Sequence, residues 1–490
     1  MTYKPLIVLV AVALQGCATR GPITFDCELG NGAYGDVAAV TPLIRDIEGD
    51  TVDPSRLTVD GAVTASIQPL DRAIKTLAAP DASLTTPAKG KSVLLLSGGG
   101  QWGAFGAGYL QWLQRKDQKA FSDLAIITGI STGSLQALYL GALGTDSRQN
   151  EHWLSELARN YAPADEGEIV DRHSLYAAAF KGSVAGLKPL RQRVEEALCP
   201  AALAGSVANC PLIDALATAK SETFVGFVDA ESGKFVIAHV NAIAKLPFSA
   251  QDEAVRRQQY HKVRNCLAGI TIASAGVPAF YQQVRIKGAI NGLDGSKTRT
   301  LYDGGTRHSV FEADFARRLA LAEAARSAGS PPLATLYVLR NGPTTVVSDP
   351  QVQKRADALT AAQRGYSIIV NQSEVSAIAS LRLARPGGPI FLTTADFHEH
   401  AGLADPAPPA GQKPDGLQRP VAGLTAGCHK PTDPKTKARM FDPEFMRCLQ
   451  AFGRYKADRA KPWSPLCALV PGGAAQGGGQ YPLCEASRKR

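Results

Sequence analysis

The amino-acid sequence predicts an α/β protein built on a mainly parallel central sheet. Residues 92–96 form a continuous apolar run that ends in three glycines, as a buried parallel strand does, and residues 104–114 have a helical composition. Residues 124–129 indicate a second buried strand, and residues 134–143 carry apolar side chains at helical spacing. This repeated order of strand, turn and helix is typical of a parallel sheet with right-handed crossovers.

The later part of the chain extends the pattern with a hairpin, several helices and two core strands. Residues 224–229 and 234–240 are apolar runs separated by a short turn that contains glycine, which predicts the hairpin. The remaining predicted elements are helices at 187–198, 311–326 and 355–383 and strands at 335–339 and 390–393.

Composition divides the chain into four segments. Residues 1–16 predict a signal peptide, and residues 17–90, which are rich in Thr, Asp and Pro, predict a tether followed by an irregular N-terminal segment. The α/β domain is expected at 91–400. Residues 404–435 are dense in Pro, Gly and Lys, so that 401–490 predict a linker and a small cysteine-containing tail stapled by disulfides.

Length and composition exclude several classes of protein. The 490 residues are 45% hydrophobic and 20% charged, which excludes wholesale disorder, collagen and a multi-span membrane protein. The 53 Lys and Arg outnumber the 44 Asp and Glu, but the formal charge of +9 is spread along the chain. This modest basicity is compatible with anionic lipid surfaces and predicts no nucleic-acid partner.

The first residues predict export to a bacterial cell envelope. Lys4 precedes an apolar stretch at 6–14 that is too short for an ordinary transmembrane helix. The sequence Leu-Gln-Gly-Cys at 14–17 resembles a bacterial lipobox, in which Cys17 would receive the lipid and become the first mature residue. Ala18 favours, by the same resemblance, an outer-membrane lipoprotein that faces the periplasm or the surface. The alternative is a plain signal peptide, with Cys17 an ordinary thiol.

The cysteines also support export. Apart from Cys17, eight remain, an even number that suits an oxidising compartment, although eight cysteines allow 105 pairings. The absence of a C-x-x-C pair argues against a zinc ribbon. Local spacing suggests three pairs and leaves a fourth by elimination: Cys199 with Cys210, Cys428 with Cys448, Cys467 with Cys484, and Cys27 with Cys266.

The central motif is a G-x-S-x-G pentapeptide between a predicted strand and a predicted helix. Gly129 and Gly133 flank Ser131 in this motif. A nucleophile elbow needs such small neighbours because its serine sits on a strained turn at a helix N-terminus, where the hydroxyl is exposed. With 47 glycines in the chain, about a quarter of a match to this pentapeptide is expected by chance. The neighbouring motifs must therefore decide whether Ser131 is a nucleophile.

A glycine-rich segment supplies that context. Gly98, Gly99, Gly100 and Gly103 follow the first predicted strand and open a helix. Backbone N–H groups of consecutive glycines can converge on a phosphate or on the oxyanion of an acyl-transfer intermediate. The spacing matches G-x-G-x-x-G, but the next strand leads into the elbow at Gly129 and not to the acidic residue that would hold a ribose. No Gly-Lys-Ser/Thr follows either, so no nucleotide is expected.

An Asp-Gly-Gly motif completes the candidate site. Asp303 precedes Gly304 and Gly305 after a short apolar approach. An aspartate on a tight glycine turn can present its carboxylate rigidly, and a nucleophilic serine needs a base to accept its proton. Taken alone, an Asp-Gly pair usually marks a solvated turn.

Together the three motifs resemble the patatin-like phospholipase family. The family has a glycine-rich oxyanion loop after the first strand, then the G-x-S-x-G elbow, and much later an Asp-Gly-Gly or Asp-Gly-Ala. Residues 273–280 are also similar to its Ala-Ser-x-Ala-x-Pro segment. The resemblance covers about residues 91–310 and implies a three-layer α/β/α fold, with 91–400 as the catalytic domain. Trp102 departs from the pattern, since the family commonly has Arg or Lys there.

The resemblance implies a serine–aspartate dyad that hydrolyses carboxylic esters of phospholipids or related lipids without a metal or other cofactor. Asp303 would take the proton from Ser131, and the glycine loop would hold the oxyanion. Membrane lipids would be the substrate and, through Cys17, the anchor. A Ser-His-Asp triad that uses His308 is the rival, although the short spacing from Asp303 does not suit an α/β-hydrolase.

Two further functions remain open alternatives. One is a non-catalytic envelope lipoprotein that uses this fold for lipid binding or scaffolding, which Trp102 favours and the intact Ser131 and Asp303 oppose. The other is a hydrolase of soluble or protein-linked esters. A metal site is not expected at residues 398–400 or at 428–429, because adjacent ligands without further partners are usually surface residues or turn caps.

Overall fold

The computed structural model describes most of the α/β domain and parts of both ends of the chain. The leader, Cys17 and the expected pair of Cys467 with Cys484 lie outside the described residues. The described residues are 21–29, 44–46, 69–78, 91–173, 183–200, 210–249, 252–288, 290, 293, 298–308, 310–311, 313–326, 330–346, 358–386, 388–396, 428 and 439–466.

Strands and helices alternate through the main domain. The strands are β1 (Ile23–Asp26), β2 (Ile44–Asp46), β3 (Lys91–Leu96), β4 (Leu124–Ile130), β5 (Asp171–Arg172), β6 (Ala185–Gly186), β7 (Glu222–Asp229), β8 (Phe235–His239), β9 (Val284–Lys287), β10 (Thr298–Asp303), β11 (Ala334–Leu339), β12 (Ile390–Thr393) and β13 (Ser464–Pro465). The helices are α1 (Pro69–Ala78), α2 (Gly103–Lys116), α3 (Thr132–Leu140), α4 (Ser147–Asn160), α5 (Lys188–Leu198), α6 (Pro211–Thr218), α7 (Val240–Ala244), α8 (Glu253–Ser274), α9 (Ala313–Ala324), α10 (Ala358–Ala384) and α11 (Pro443–Asp458).

One mostly parallel sheet forms the centre of the fold. Its strands β7, β4, β3, β11 and β12 lie side by side in this order, and each is parallel to the next. Antiparallel pairs are added by β8, β10, β9, β2 and β13, and β1 pairs in parallel with β9. The parallel α/β class predicted from the sequence is confirmed.

Two apolar cores lie on opposite faces of this sheet. In β3, Leu94 and Leu96 belong to one core, whereas Val93 and Leu95 belong to the other, because alternate side chains of a strand point to opposite faces. Helices α2, α3, α8 and α11 pack on the first core, and α1, α9 and α10 pack on the second. This is the three-layer α/β/α arrangement that the family resemblance implied.

The predicted strands and helices of the main domain are confirmed with small shifts at their ends. The N-terminal segment differs from the irregular structure that its composition predicts. Within it, β1 lies beside β9, β2 lies beside β8, and α1 packs on the same core as α9. These strands have three or four residues each, too few for alternation to stand out among the polar residues around them.

The described part of the C-terminal tail belongs to the core and is not the small appendage that the sequence predicts. Helix α11 crosses α2, and the backbones of the two helices are in contact at the crossing. A Cβ on Gly453 would lie 2.1 Å from the Phe105 carbonyl oxygen, and a Cβ on Gly108 would lie 2.3 Å from the Gln450 carbonyl oxygen. The Tyr109 hydroxyl donates to the carbonyl of residue 462 at 3.0 Å. Glycine on both helices permits this approach.

The described residues contain three disulfides, of which one joins parts of the chain 239 residues apart. They confirm three of the pairs suggested by spacing and elimination, namely Cys27–Cys266, Cys199–Cys210 and Cys428–Cys448. In the described part of the chain, no helix combines the length and the apolar character needed to cross a bilayer.

Candidate active site

Two strand ends bring the elbow and the Asp-Gly-Gly motif together. Strand β8 occupies one edge of β7. Along the other edge, β4 runs parallel to β7 and pairs with it as far as Ile130, which faces Gly226. Strand β10 pairs with the next part of this edge, runs in the opposite direction, and ends where Asp303 faces Phe227. Strands β4 and β10 therefore meet end to end on one edge of β7. Ser131, which directly follows β4, lies next to Asp303 for this reason.

Ser131 has the strained backbone of a nucleophile elbow. Its φ of 53° and ψ of −125° lie in a region that residues with a side chain rarely adopt. Gly129 cannot be larger, because a Cβ there would lie 2.3 Å from the Gly133 carbonyl oxygen. The Ser131 N–H donates to the Ser274 hydroxyl at 2.9 Å, and the Ser134 hydroxyl donates to the Ser131 carbonyl at 2.6 Å. These contacts hold the turn at the N-terminus of α3.

Asp303 is held on a buried glycine turn. The residue is 2% exposed, and its Oδ1 accepts a hydrogen bond from the Gly305 N–H at 2.6 Å. Its own N–H donates to the Gly276 carbonyl at 3.1 Å. A Cβ on Gly304 would lie 2.7 Å from the Gly226 carbonyl oxygen, so that only glycine fits between β10 and the edge of β7. The carboxylate is therefore presented rigidly at the end of β10.

Burial gives the carboxyl group of Asp303 an unusual pKa. Removal from water penalises the charged form and raises the pKa from 3.8 to about 7. Hydrogen bonding by the Ser131 side chain and by the Gly305 N–H favours the charged form and opposes this rise. The other oxygen, Oδ2, is buried and has no further partner among the described residues. Such a carboxylate can accept and return a proton near neutral pH.

The glycine loop lies beside Ser131 and offers backbone donors. A Cβ on Gly98 would lie 3.9 Å from Ser131 Oγ, which puts the loop next to the hydroxyl. Gly99 and Gly100 have φ values of 147° and 55°, which glycine adopts without strain. Among the described residues, the N–H groups of Gly98, Gly99 and Gly100 have no acceptor. The Gly103 N–H donates to the Gly100 carbonyl, so three of the four expected donors are left for an oxyanion.

Two tyrosines lie near Asp303, and a glutamate lies near the glycine loop. Burial raises the pKa of Tyr281 and of Tyr366, and the nearby charge of Asp303 raises both further. Glu374 also raises the pKa of Tyr366, and its Oε1 would lie 3.7 Å from a Cβ on Gly98. Tyr366 and Glu374 belong to α10, so this helix forms one wall of the site.

Two other residues singled out in the sequence pack against aromatic side chains of the cores. The ring of His308 packs edge-on against Phe235 with centroids 4.9 Å apart, and burial and hydrogen bonds, not His308, account for the pKa of Asp303. Trp102 packs edge-on against Phe445 of α11 at 5.1 Å. The residue that departs from the family pattern therefore helps to hold α11 in place.

Of the candidate metal ligands, only Cys428 lies among the described residues. Cys428 forms a disulfide with Cys448 and cannot serve as a thiolate ligand. His429 and residues 398–400 lie outside the described residues. Within the described ranges, no group of three or more His, Cys, Asp or Glu side chains could hold a metal ion.

Sequence reasoning missed four residues that hold the site together. Ser274 binds the elbow and Gly276 binds the backbone of Asp303, and in the sequence their segment shows only a similarity to a family motif. Gln136 and Asn341 bind the glycine loop. The available signal was chemical: Gln136 lies inside an apolar helix and Asn341 just after a core strand, where a buried amide must find partners.

The fold and the site define an α/β protein with a serine elbow beside a buried aspartate. Residues 94–316 match the family model described as "Patatin-like phospholipase". The chain therefore contains a patatin-like phospholipase domain, as its motifs predicted. This match supports lipid acyl hydrolase activity in general terms.

Comparison with solved structures gives a distant neighbour. The chain is similar to the crystal structure of VipD from Legionella pneumophila, with 10% sequence identity and a TM-score of 0.30. The match covers 74% of this chain and 67% of the VipD chain. The comparison with curated proteins found no match.

Proposed function

We propose that this protein hydrolyses carboxylic ester bonds of phospholipids or related lipids with a dyad of Ser131 and Asp303. One observation carries the proposal. The end-to-end meeting of β4 and β10 sets a strained serine beside a buried aspartate whose pKa is about 7. The patatin-like domain supports a lipid ester as the substrate.

Each chemical step uses groups of this chain. Asp303 takes the proton of the Ser131 hydroxyl as Oγ forms a bond to the ester carbonyl carbon. The N–H groups of Gly98, Gly99 and Gly100 stabilise the negative charge that develops on the carbonyl oxygen. The ester bond then breaks, and the alcohol leaves with the proton from Asp303. Water then attacks the acyl carbon as it gives a proton to the same carboxylate. The bond between this carbon and Oγ breaks, the fatty acid leaves, and Asp303 returns the proton to Ser131 Oγ.

Exposed apolar side chains on α10 support a lipid substrate. Ile368 and Ile369 are 44% and 69% exposed, and they closely follow Tyr366, whose pKa responds to the charge of Asp303. The Tyr366 ring lies 5.6 Å from the Phe280 ring, centroid to centroid. Apolar surface beside a buried site suits a substrate that must leave a bilayer to reach it.

The proposal includes export and a lipid anchor on Cys17 in the bacterial cell envelope, most simply at the outer membrane. The disulfides support an oxidising compartment. Cys17→Ser should shift the protein from the membrane fraction to the soluble fraction of the envelope. Unchanged fractionation of this variant would count against the anchor.

Hydrolysis of a short-chain chromogenic ester and of a fluorescent phospholipid tests the dyad. We expect Ser131→Ala and Asp303→Asn to lose about 10⁴-fold in kcat on both substrates. His308→Ala should keep the activity, because its ring packs against Phe235 and does not contribute to the pKa of Asp303. Loss of activity in His308→Ala would require a triad. A wild type inert on every ester would overturn the proposal and favour a non-catalytic lipid-binding lipoprotein.

A pair of surface variants tests the lipid substrate. Ile369→Ser removes an exposed side chain beside the site, and Leu383→Ser is the matched control, since Leu383 is 67% exposed about 20 Å further along α10. Ile369→Ser should slow hydrolysis of phospholipid vesicles several-fold without changing hydrolysis of the soluble ester. Equal behaviour of the two variants on vesicles would contradict the role of this surface.

A further inference from the structure

We propose that Asn341 and Gln136 are positioning residues whose paired side-chain amides hold the glycine loop in register with the nucleophile. The proposal rests on the hydrolase function above and deepens it. Neither residue touches Ser131 or Asp303 in any hydrogen bond of the described structure. Their effect would come through the backbone donors of the loop.

Asn341 binds the start of the glycine loop. It lies just beyond β11, whose last residue, Leu339, faces Leu96 at the end of β3. Its backbone N–H donates to Ser97 Oγ at 2.9 Å, and its Nδ2 donates to the Ser97 carbonyl at 2.8 Å. A Cβ on Gly99 would lie 1.9 Å from the Asn341 carbonyl oxygen, so that the loop backbone lies directly against this residue.

Gln136 binds the end of the loop from the helix that carries the nucleophile. It lies in α3, little more than one turn after Ser131. Its Nε2 donates to the Gly103 carbonyl at 2.9 Å and to Asn341 Oδ1 at 3.0 Å, and Asn341 Nδ2 donates to Gln136 Oε1 at 3.0 Å. All four N–H bonds of the two amides have acceptors. Both residues are completely buried, which makes an unpaired amide costly.

Helix α2 leaves room for the amide pair at one position. A Cβ on Gly106 would lie 2.3 Å from Asn341 Oδ1 and 2.5 Å from Gln136 Nε2. Glycine is a poor helix former, and its place in the second turn of α2 is explained by this contact. Any larger residue would displace the pair.

The network divides the support of the site into two parts. Ser274 and Gly276 hold Ser131 and Asp303, whereas the amide pair joins both ends of the glycine loop to α3. Loss of the pair should move the oxyanion donors and leave the contact between the serine and its base in place. The transition state would lose stabilisation, but ground-state binding and the protonation of the carboxylate would not change.

Asn341→Ala and Gly106→Ala test this inference, with Asn241→Ala as a matched control. Asn241 is an equally buried asparagine that accepts from the Thr223 N–H at 2.6 Å and donates to the carbonyl of residue 216 at 2.8 Å, near the opposite end of β7. All three variants are expected to lower the melting temperature. Only Asn341→Ala and Gly106→Ala should impair the glycine loop. The first removes one of the two amides, and the second adds a methyl group that pushes against the amide pair.

Kinetics on the soluble ester provide the main readout. Asn341→Ala and Gly106→Ala should lower kcat about 100-fold and weaken binding of a trifluoromethyl ketone, which forms an oxyanion with the serine, by a similar factor. KM should stay within about threefold of wild type, and the midpoint of the pH profile should not move. Asn241→Ala should keep kcat within about threefold of wild type.

The outcomes separate this inference from the proposed function. If wild type is active and Asn341→Ala behaves like Asn241→Ala, or if the pH midpoint moves, the inference is overturned and the hydrolase proposal stands. If wild type hydrolyses no ester, the proposed function fails, and hydrogen exchange of residues 97–103 decides the inference. Faster exchange of this segment in Asn341→Ala than in Asn241→Ala would support it, and equal exchange would overturn it.

Discussion

Replacing Asp303 by asparagine should abolish hydrolysis and, above neutral pH, stabilise the folded protein. Asp303 is 2% exposed, and burial raises its pKa from 3.8 to about 7. Between these two values the folded state binds the proton more tightly than the unfolded state does. The free energy of unfolding of the wild type therefore falls as the pH rises through this window. An asparagine does not titrate, so the variant escapes this loss.

The pKa difference sets the size of the effect. A difference of about 3 between the folded and unfolded pKa corresponds to about 4 kcal/mol, at roughly 1.36 kcal/mol for each pKa unit. Between pH 5 and pH 8, the wild type should lose about 3 kcal/mol of stability through this one carboxyl group. The other titrating groups are common to both proteins, so their contributions cancel in the comparison.

Urea denaturation of both proteins at pH 5 and pH 8 measures this difference. The variant should gain about 3 kcal/mol over the wild type between the two pH values, while its hydrolysis of the chromogenic ester is lost. A difference in stability that is the same at both pH values would refute the assignment of a raised pKa to Asp303. Hydrolysis retained by the variant would refute its role as the base.

Further predictions concern the pH profile, the support of the elbow and the disulfides. The kcat/KM of the wild type should rise with pH to a plateau, with a midpoint near 7 set by Asp303, and a flat profile between pH 5 and pH 9 would contradict this. Ser274→Ala leaves the Ser131 N–H without its partner, so it should cost roughly 1 to 3 kcal/mol in urea denaturation and lower kcat; an unchanged kcat would contradict its role. Removing the Cys27–Cys266 disulfide, with a sequence separation of 239, should destabilise the protein by roughly 5 kcal/mol in thermal or urea unfolding. Removing the bond between α5 and α6, with a separation of 11, should cost roughly 3 kcal/mol, and the reverse order would contradict the loop-length argument.

The tight turns at Ser131, at Asp303 and in the glycine loop could be predicted because each depends on local glycines. Gly129 and Gly304, for example, lie where a Cβ would meet the backbone at less than 3 Å. Such constraints are visible in a few adjacent residues. The pairing of the motifs came from resemblance to a family and not from these local signals.

The meeting of the two motifs could not be read from the sequence, because it depends on long-range strand register. Strands β4 and β10 share an edge of β7 only because β8 occupies the other edge. The contributions of Asn341 and Gln136 were hidden for a related reason. A buried amide reveals its role only through its partners, which lie far away in the chain.

The close crossing of α2 and α11 has a consequence for fragments of this protein. The family-matched segment, 94–316, includes Ser131 and Asp303 but ends before β11, β12 and α11. A chain cut at residue 316 would leave one edge of β3 open and the aromatic side of α2 in water. Almost the whole chain must therefore be synthesised before β3 and α2 are covered. Proteolytic loss of α11 would expose the same side of α2 although every sequence motif survives.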